Sequence, residues 1–246
     1  MPDLFQLIPA RVRTVGRRSL NRMGFDLNRN PFTHRLVALM RDRGINTLLD
    51  VGANEGQYAL GLRAAGYNGT IISVEPLRAA YERLSRHAAA DPRWQCVHAA
   101  ASDHAGTIKI NVARNSVSSS VLPMLATHTT ADPLSVYVGQ EEVRAVTVDS
   151  LIDDQGLDAA KTMVKIDVQG FESTVLDGAA DHLNRLAAVQ LELSLVPLYD
   201  SQALMPQLVE RMSQHGFELW LLEPGFSAPD SGRLLQCDGV FVRRPG

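Results

Sequence analysis

The chain has 246 residues, 45 % of them hydrophobic and 21 % charged, with a formal net charge of −3. This is the composition of a globular protein large enough to bury a core without staples. It carries no basic excess that would mark a nucleic-acid partner. Cys96 and Cys237 cannot build a disulfide framework and show no metal-ligand spacing, which suits a reducing, cytoplasmic setting. No stretch reaches the roughly 18 consecutive apolar residues of a membrane span.

The first segment differs from the rest. Arg11, Arg13, Arg17, Arg18 and Arg22 interleave with Leu4, Phe5, Leu7, Ile8, Val12, Val15, Leu20 and Met23. Read as a helix, it is basic and amphipathic. One reading is peripheral attachment to an anionic membrane surface, at the inner face of the membrane, or to a lipid-linked substrate. The plainer reading is a helix packed over the domain with its arginines in water.

Pro31–Arg43 reads as a second helix ended by Gly44, so residues 1–43 form an N-terminal helical segment and 44–246 the main domain. From there strands and helices alternate. Thr47–Val51 is a buried strand, Gln57–Ala65 a helix stopped by Gly66, Thr70–Val74 a strand and Leu77–Ala89 a helix. Trp94–His98 is the third strand and Thr162–Val168 the fourth, with a helix from Phe171 to about Leu186. Ala188–Leu193 is the fifth strand, Gln202–His215 a helix, and Phe217–Leu222 and Gly239–Val242 are the closing strands. This spacing predicts an α/β fold: a Rossmann-like three-layer sandwich on a mostly parallel seven-stranded sheet. Between Gly106 and Val148 the alternation breaks. Thr107–Val112 reads as an added strand, and Asn115–Gln140 as a polar insertion on the substrate side, with Ser118, Ser119, Ser120, Pro123 and Pro133.

Ligands of such sheets sit beyond the carboxyl ends of the strands. The first strand runs into Gly52-Ala53-Asn54-Glu55-Gly56, where the glycines allow a tight turn and close approach to a ligand. The helix that follows offers free N–H groups to a carboxylate or phosphate, and Tyr58 lies in its first turn. Asp50, at the strand tip, is placed to accept from an ammonium group or to orient the loop. Glu75 ends the second strand, where a carboxylate can accept both hydroxyls of an adenosine ribose. Asp103, in Ser102-Asp103 after the third strand, can accept from an adenine amino group. The loop lacks the G-x-G-x-x-G spacing of dinucleotide binders, and neither Gly-Lys-Ser/Thr nor G-x-S-x-G occurs. S-adenosylmethionine is the cofactor that fits Asp50, Gly52, Asn54, Gly56, Tyr58, Glu75, Ser102 and Asp103, in a class I methyltransferase.

Methyl transfer from a sulfonium is an in-line displacement, which needs alignment and, for a poor nucleophile, a group to take its proton. Asp167, at the tip of the fourth strand, and Glu192, near the end of the fifth, are the candidates. Together they could share a proton, hold a hydroxyl or coordinate a hard cation such as Mg2+. Lys165 shares strand parity with Asp167 and would pair with it, while Glu172 reads as structural. His128, inside the insertion, is the candidate imidazole base.

Several strings resemble the FkbM-type methyltransferases over most of Asn46–Leu193. They are Leu49–Tyr58, Val74-Glu75-Pro76, Ala100–Asp103, the serines Ser118–Ser120, Val146–Leu151 and Val164–Glu172. Gln169 stands where that family usually carries Glu. The resemblance implies O-methylation of a sugar hydroxyl on a glycolipid, a polysaccharide or a glycosylated metabolite. Two alternatives stay open: a non-catalytic cofactor-binding partner protein, and a methyltransferase acting on a non-sugar acceptor.

Overall fold

The computed structural model describes residues 31–244. The basic segment of residues 1–30, with its expected amphipathic helix, lies outside the described residues.

The chain opens with α1 (Pro31–Asp42), whose Phe32, Leu36, Val37, Leu39 and Met40 are buried. Gly44, at φ 66, ends it in a left-handed turn, and the Ile45 N–H closes back on the Met40 carbonyl. Then follow β1 (Thr47–Val51), α2 (Gln57–Ala64), β2 (Thr70–Glu75), α3 (Arg78–Ala88) and β3 (Trp94–His98). The short β4 (Ala100–Ala101) leads to β5 (Gly106–Ala113), α4 (Ala126–Ala131) and β6 (Tyr137–Val146). The remainder is α5 (Val148–Asp154), β7 (Thr162–Ile166), α6 (Glu172–Asp177), β8 (Ala188–Ser194), α7 (Met205–Gln214), β9 (Phe217–Pro224) and β10 (Gln236–Arg243).

Seven strands form one sheet in the order β3-β2-β1-β7-β8-β10-β9, parallel except for β10, which runs against both of its neighbours. All five residues of β1 and of β7 are buried, as continuous apolar strands covered on both faces must be. Successive side chains feed opposite layers: Leu49, Ile72 and Val164 join one core, Leu48, Ile71 and Met163 the other. Strand order reverses between β1 and β7, so the cleft opens over their carboxyl ends.

The polar insertion is more ordered than its composition suggests. β5 and β6 form an antiparallel pair, with β4 parallel to β6, in a second three-stranded sheet. Residues 137–140 belong to β6, and the connection from β5 carries α4 and a 3-10 turn at Pro133–Ser135. The helix expected over Phe171–Leu186 is broken after Asp177. Gly178 packs where a Cβ would lie 2.0 Å from the Ser102 carbonyl oxygen. The Asp149 carboxylate then takes the Asp181 and His182 N–H groups, turning the chain out of helical register. The helix expected from Gln202 starts at Met205, because the Gln202 side chain instead accepts from Leu198 N and Tyr199 N.

Candidate active site

One cleft, of about 330 Å³, runs from the β1 and β2 tips to the insertion. That volume falls in the range of small-molecule pockets, roughly 300–1,000 Å³. Six of the eleven candidate residues line it: Gly52, Asn54, Glu75, His128, Asp167 and Glu192. Asp50, Gly56, Tyr58, Ser102 and Asp103 do not.

The loop after β1 is shaped mainly by its neighbours. Gly52 has φ 76, and a Cβ there would stand 1.8 Å from the Asp167 carbonyl oxygen. The close approach expected toward a ligand is thus made to the chain after β7. A Cβ on Gly56 would meet Leu84 and Trp94 at 2.9 Å, so this glycine serves packing beneath α3. Gly52 and Ala53 donate their N–H groups to the Val74 carbonyl. Asn54, at φ 47, donates its N–H to Glu75 Oε2 at 2.8 Å and its side-chain amide to Ser116 Oγ at 3.3 Å.

Glu75 is 4 % exposed, and its other oxygen accepts from the Leu77 N–H at 2.8 Å. Burial pushes its carboxyl up to about 7, against the pull of those two N–H groups. Each oxygen keeps a lone pair for a hydroxyl donor in the cleft. Four side chains expected at the cofactor do not line the cleft. Asp50 is fully buried, 3.5 Å from Lys165 Nζ, and accepts from Ser73 Oγ. Lys165 in turn donates to the Gly52 carbonyl at 3.1 Å, so the pair fixes the loop. Tyr58 donates its hydroxyl to Gln190 Oε1 at 2.6 Å, with Lys165 Nζ over its ring. Ser102 is buried and donates to Asp103 Oδ1; Asp103 pairs with His104 at the surface, away from the cleft. Asp103, expected at an adenine amino group, is not among the residues that line the cleft.

The opposite half holds the carboxylates. Lys165 Nζ lies 3.2 Å from Asp167 Oδ2. Burial opposes the ammonium, but the Asp167 and Asp50 charges outweigh it and hold its pKa above the ordinary lysine value. Asp167 and Glu192 meet through one atom, the Gln169 side-chain nitrogen, which donates to both at 2.8 and 3.0 Å. Gln236 donates to the same Glu192 oxygen at 2.7 Å. Burial, then the Asp167 and Glu172 charges, push the Glu192 carboxyl well above the usual range. Glu172 accepts from the Val168 and Gly170 N–H groups and ties down the turn that carries Gln169. Among the described residues no group of three or more His, Cys, Asp or Glu side chains is placed to hold a metal ion. The Mg2+ expected between Asp167 and Glu192 has an amide in its place.

His128 is 3 % exposed, with its ring edge-on to Tyr199 and beside Phe226. Its Nδ1 is buried without a hydrogen-bond partner, and burial lowers its pKa, so the ring is neutral at pH 7. Sequence reasoning missed Tyr199 and Gln236. Tyr199, fully buried, donates to Gln169 Oε1 at 2.9 Å, and nothing in the local sequence marks it.

The profile of the FkbM methyltransferase domain matches residues 50–219, more than half of the chain. The chain belongs to the FkbM methyltransferase family. A crystal structure of an FkbM methyltransferase from Methylobacillus flagellatus KT is similar, with 14 % identity and a TM-score of 0.51. The match covers 81 % of this chain and 44 % of that one, so this chain spans under half of that protein's length. A magnesium protoporphyrin IX methyltransferase from Synechocystis PCC 6803, solved with bound SAM, aligns at 11 % identity and TM-score 0.46, over 94 % and 97 % of the two chains. No curated protein matches the sequence significantly. The FkbM strings now have physical duties. Thr147 caps α5 in a reciprocal pair with Ser150, and Asp149 redirects the chain after α6. Lys165–Glu172 builds the turn that joins the two halves of the cleft.

Proposed function

We propose that this FkbM-family chain transfers the methyl group of S-adenosylmethionine to a sugar hydroxyl on a glycolipid, polysaccharide or glycosylated metabolite. The observation that carries the reading is the amide-bridged pair Asp167–Glu192, set in one cleft between Glu75 and a hydroxyl-lined insertion. The residues present fit the cofactor: Glu75 offers its remaining lone pairs to a ribose, and Gly52 and Asn54 wall the same end. When bound, adenosylmethionine supplies an electrophilic methyl group. The chain's own residues do the rest.

An attacking hydroxyl must shed its proton as the new C–O bond forms. Asp167 serves as the base, its carboxylate held by Lys165 on one oxygen and by Gln169 on the other. Glu192, whose carboxyl burial and then the Asp167 and Glu172 charges hold well above the usual range, stands beside it in the cleft to hydrogen-bond an acceptor hydroxyl. His128 offers a neutral imidazole to a further hydroxyl. Asn115, Ser116, Ser118, Phe171 and Phe226 give this end the mixture of polar and flat apolar surface that a sugar ring needs.

Calorimetry with adenosylhomocysteine tests the cofactor half. The full chain is expected to bind, and Glu75→Ala to weaken binding at least about tenfold. No binding by the wild type, or unchanged binding by the variant, would remove the cofactor from this reading. Mass spectrometry of envelope glycolipids and polysaccharides, with and without the gene, tests the acceptor: the expected change is loss of a methyl from one sugar. Membrane contact through the basic residues 1–24 is the companion proposal. Vesicle co-sedimentation with and without them decides it, equal binding counting against.

A further inference from the structure

Gln169 does more than hold one oxygen of the Asp167 base. Its nitrogen sits between two carboxylates, 2.8 Å from Asp167 Oδ1 and 3.0 Å from Glu192 Oε2. We propose that the Gln169 carboxamide takes the seat of a divalent cation between these carboxylates, and is the positioning residue that makes this methyl-transfer site metal-independent. The inference rests on the catalytic reading of Asp167 and Glu192 above.

The orientation of the amide follows from its partners. Two carboxylates accept, so the N–H₂ end must face them, while the Tyr199 hydroxyl donates to the oxygen at 2.9 Å. A reversed amide would set its oxygen against both carboxylates. The backbone is fixed as well. Gln169 stands at φ 55, its carbonyl accepts from Ser120 Oγ at 2.7 Å, and Glu172 holds the N–H groups of Val168 and Gly170 on either side. The amide is thus preset before any ligand arrives.

A magnesium or calcium ion needs oxygen ligands at about 2.0–2.6 Å, converging from several sides. Here the point between the two carboxylate oxygens is filled by a hydrogen-bond donor, which cannot ligate a cation. The amide oxygen is turned away and taken by Tyr199. The neutral donor does for Asp167 and Glu192 what a cation would do, holding two carboxyl groups at a set separation. It does so without the positive charge that would compete with Lys165, 3.2 Å from Asp167. Gln169→Glu exchanges one nitrogen for oxygen and puts a third carboxyl group at the same point. That cluster has to gain a proton or a cation to be stable.

Manganese is the probe, titrated into the full chain and followed by the electron paramagnetic resonance of the free ion. The wild type is expected to show no site in this cleft tighter than about 1 mM, and Gln169→Glu to bind at least about tenfold more tightly. Adding Glu192→Gln to that variant should abolish the gain. Gln169→Ala removes the donor without adding a buried charge, so it gives the same direction of change if Gln169→Glu does not fold. The proposal is overturned if wild type binds Mn2+ as tightly as the variants and loses it in Glu192→Gln. It is equally overturned if neither variant binds more tightly than wild type. Adenosylhomocysteine calorimetry on the same samples separates the two readings. A cofactor-binding wild type that also takes up Mn2+ sinks this inference alone; the expected Mn2+ pattern without cofactor binding sinks the methyl-transfer reading, and leaves of this inference only that the amide excludes a cation from between the two carboxylates.

Discussion

The two ends of the cleft are built by different means. At the β1–β2 end the main chain does the work: Gly52 and Ala53 hang from the Val74 carbonyl, and Asn54 N–H from Glu75. At the insertion end, side chains from distant segments hold one another, as Ser120 does Gln169, Tyr199 does Gln169 and Asn115 does Asp132. Backbone contacts between adjacent parallel strands repeat wherever the fold repeats. Side-chain clasps over separations of 30 or 49 residues depend on the particular side chains at those positions. The first end sets a rigid frame common to the architecture, and the second is where an acceptor can be chosen.

Glycine substitutions give the sharpest contrast between the ends. Gly52→Ala forces a Cβ to 1.8 Å from the Asp167 carbonyl at φ 76, on two strands that cannot separate. A loss of at least about 3 kcal/mol is expected by urea unfolding. Gly139, on the exposed arm of β6, has open space where a Cβ would stand. Gly139→Ala should change stability by no more than about 0.5 kcal/mol. Similar losses at both positions would erase the distinction between frame and arm.

Glu75 supplies the next effect, read through pH. Its carboxyl ionises at about 7 in the folded protein against 4.5 in a free chain. Between those values the folded state holds a proton that the unfolded state has lost. Stability without cofactor therefore falls as pH rises from 4.5 to 7 and levels off above, by on the order of 3 kcal/mol from this group. Glu172, also raised to about 7 by burial, adds a slope of the same sign. The difference between wild type and Glu75→Gln isolates the Glu75 share, and parallel profiles would show that Glu75 is not strained by burial.

How far the sequence could be read follows the same division. Strand–helix alternation made the seven-stranded sheet legible, since continuous apolar runs such as Thr47–Val51 have few other uses. It also placed Asp167 and Glu192 on neighbouring strand tips and paired Lys165 with Asp167. Local reasoning failed where a side chain works against distant partners. Tyr58 looked like a ligand contact because it follows the loop, yet its hydroxyl is turned toward Gln190; of the two duties open to Asp50, the structure shows the bracing of the loop, through Lys165. Asp103 follows the third strand in sequence, but its bonds to Ser102 and His104 keep it from the cleft. Gln169 was visible as a departure from the FkbM pattern; its contact with both carboxylates was not, since a left-handed turn at a glutamine has no sequence signature. Thr107–Val112 is legible as a strand and is β5, but its partner β6 is not, because its half-exposed run lacks clean alternation.

Two substitutions probe the clasped end. Asp167→Asn keeps the shape and is expected to leave adenosylhomocysteine affinity unchanged, while methyl transfer falls at least about tenfold. Lost affinity would move Asp167 into the cofactor's half of the cleft. The smaller effect comes from Tyr199→Phe, which deletes one hydroxyl 2.9 Å from Gln169 Oε1 and leaves the ring against His128. The buried amide oxygen loses its donor, at about 1–2 kcal/mol of stability in urea unfolding. Gln169 still has two carboxylates to face, so the amide stays in place but is held less firmly. Methyl transfer should then fall by less than in Asp167→Asn, with cofactor affinity untouched. If Tyr199→Phe instead weakens adenosylhomocysteine as much as Glu75→Ala does, the two ends of the cleft are mechanically one, joined through the Ser116–Asn54 contact.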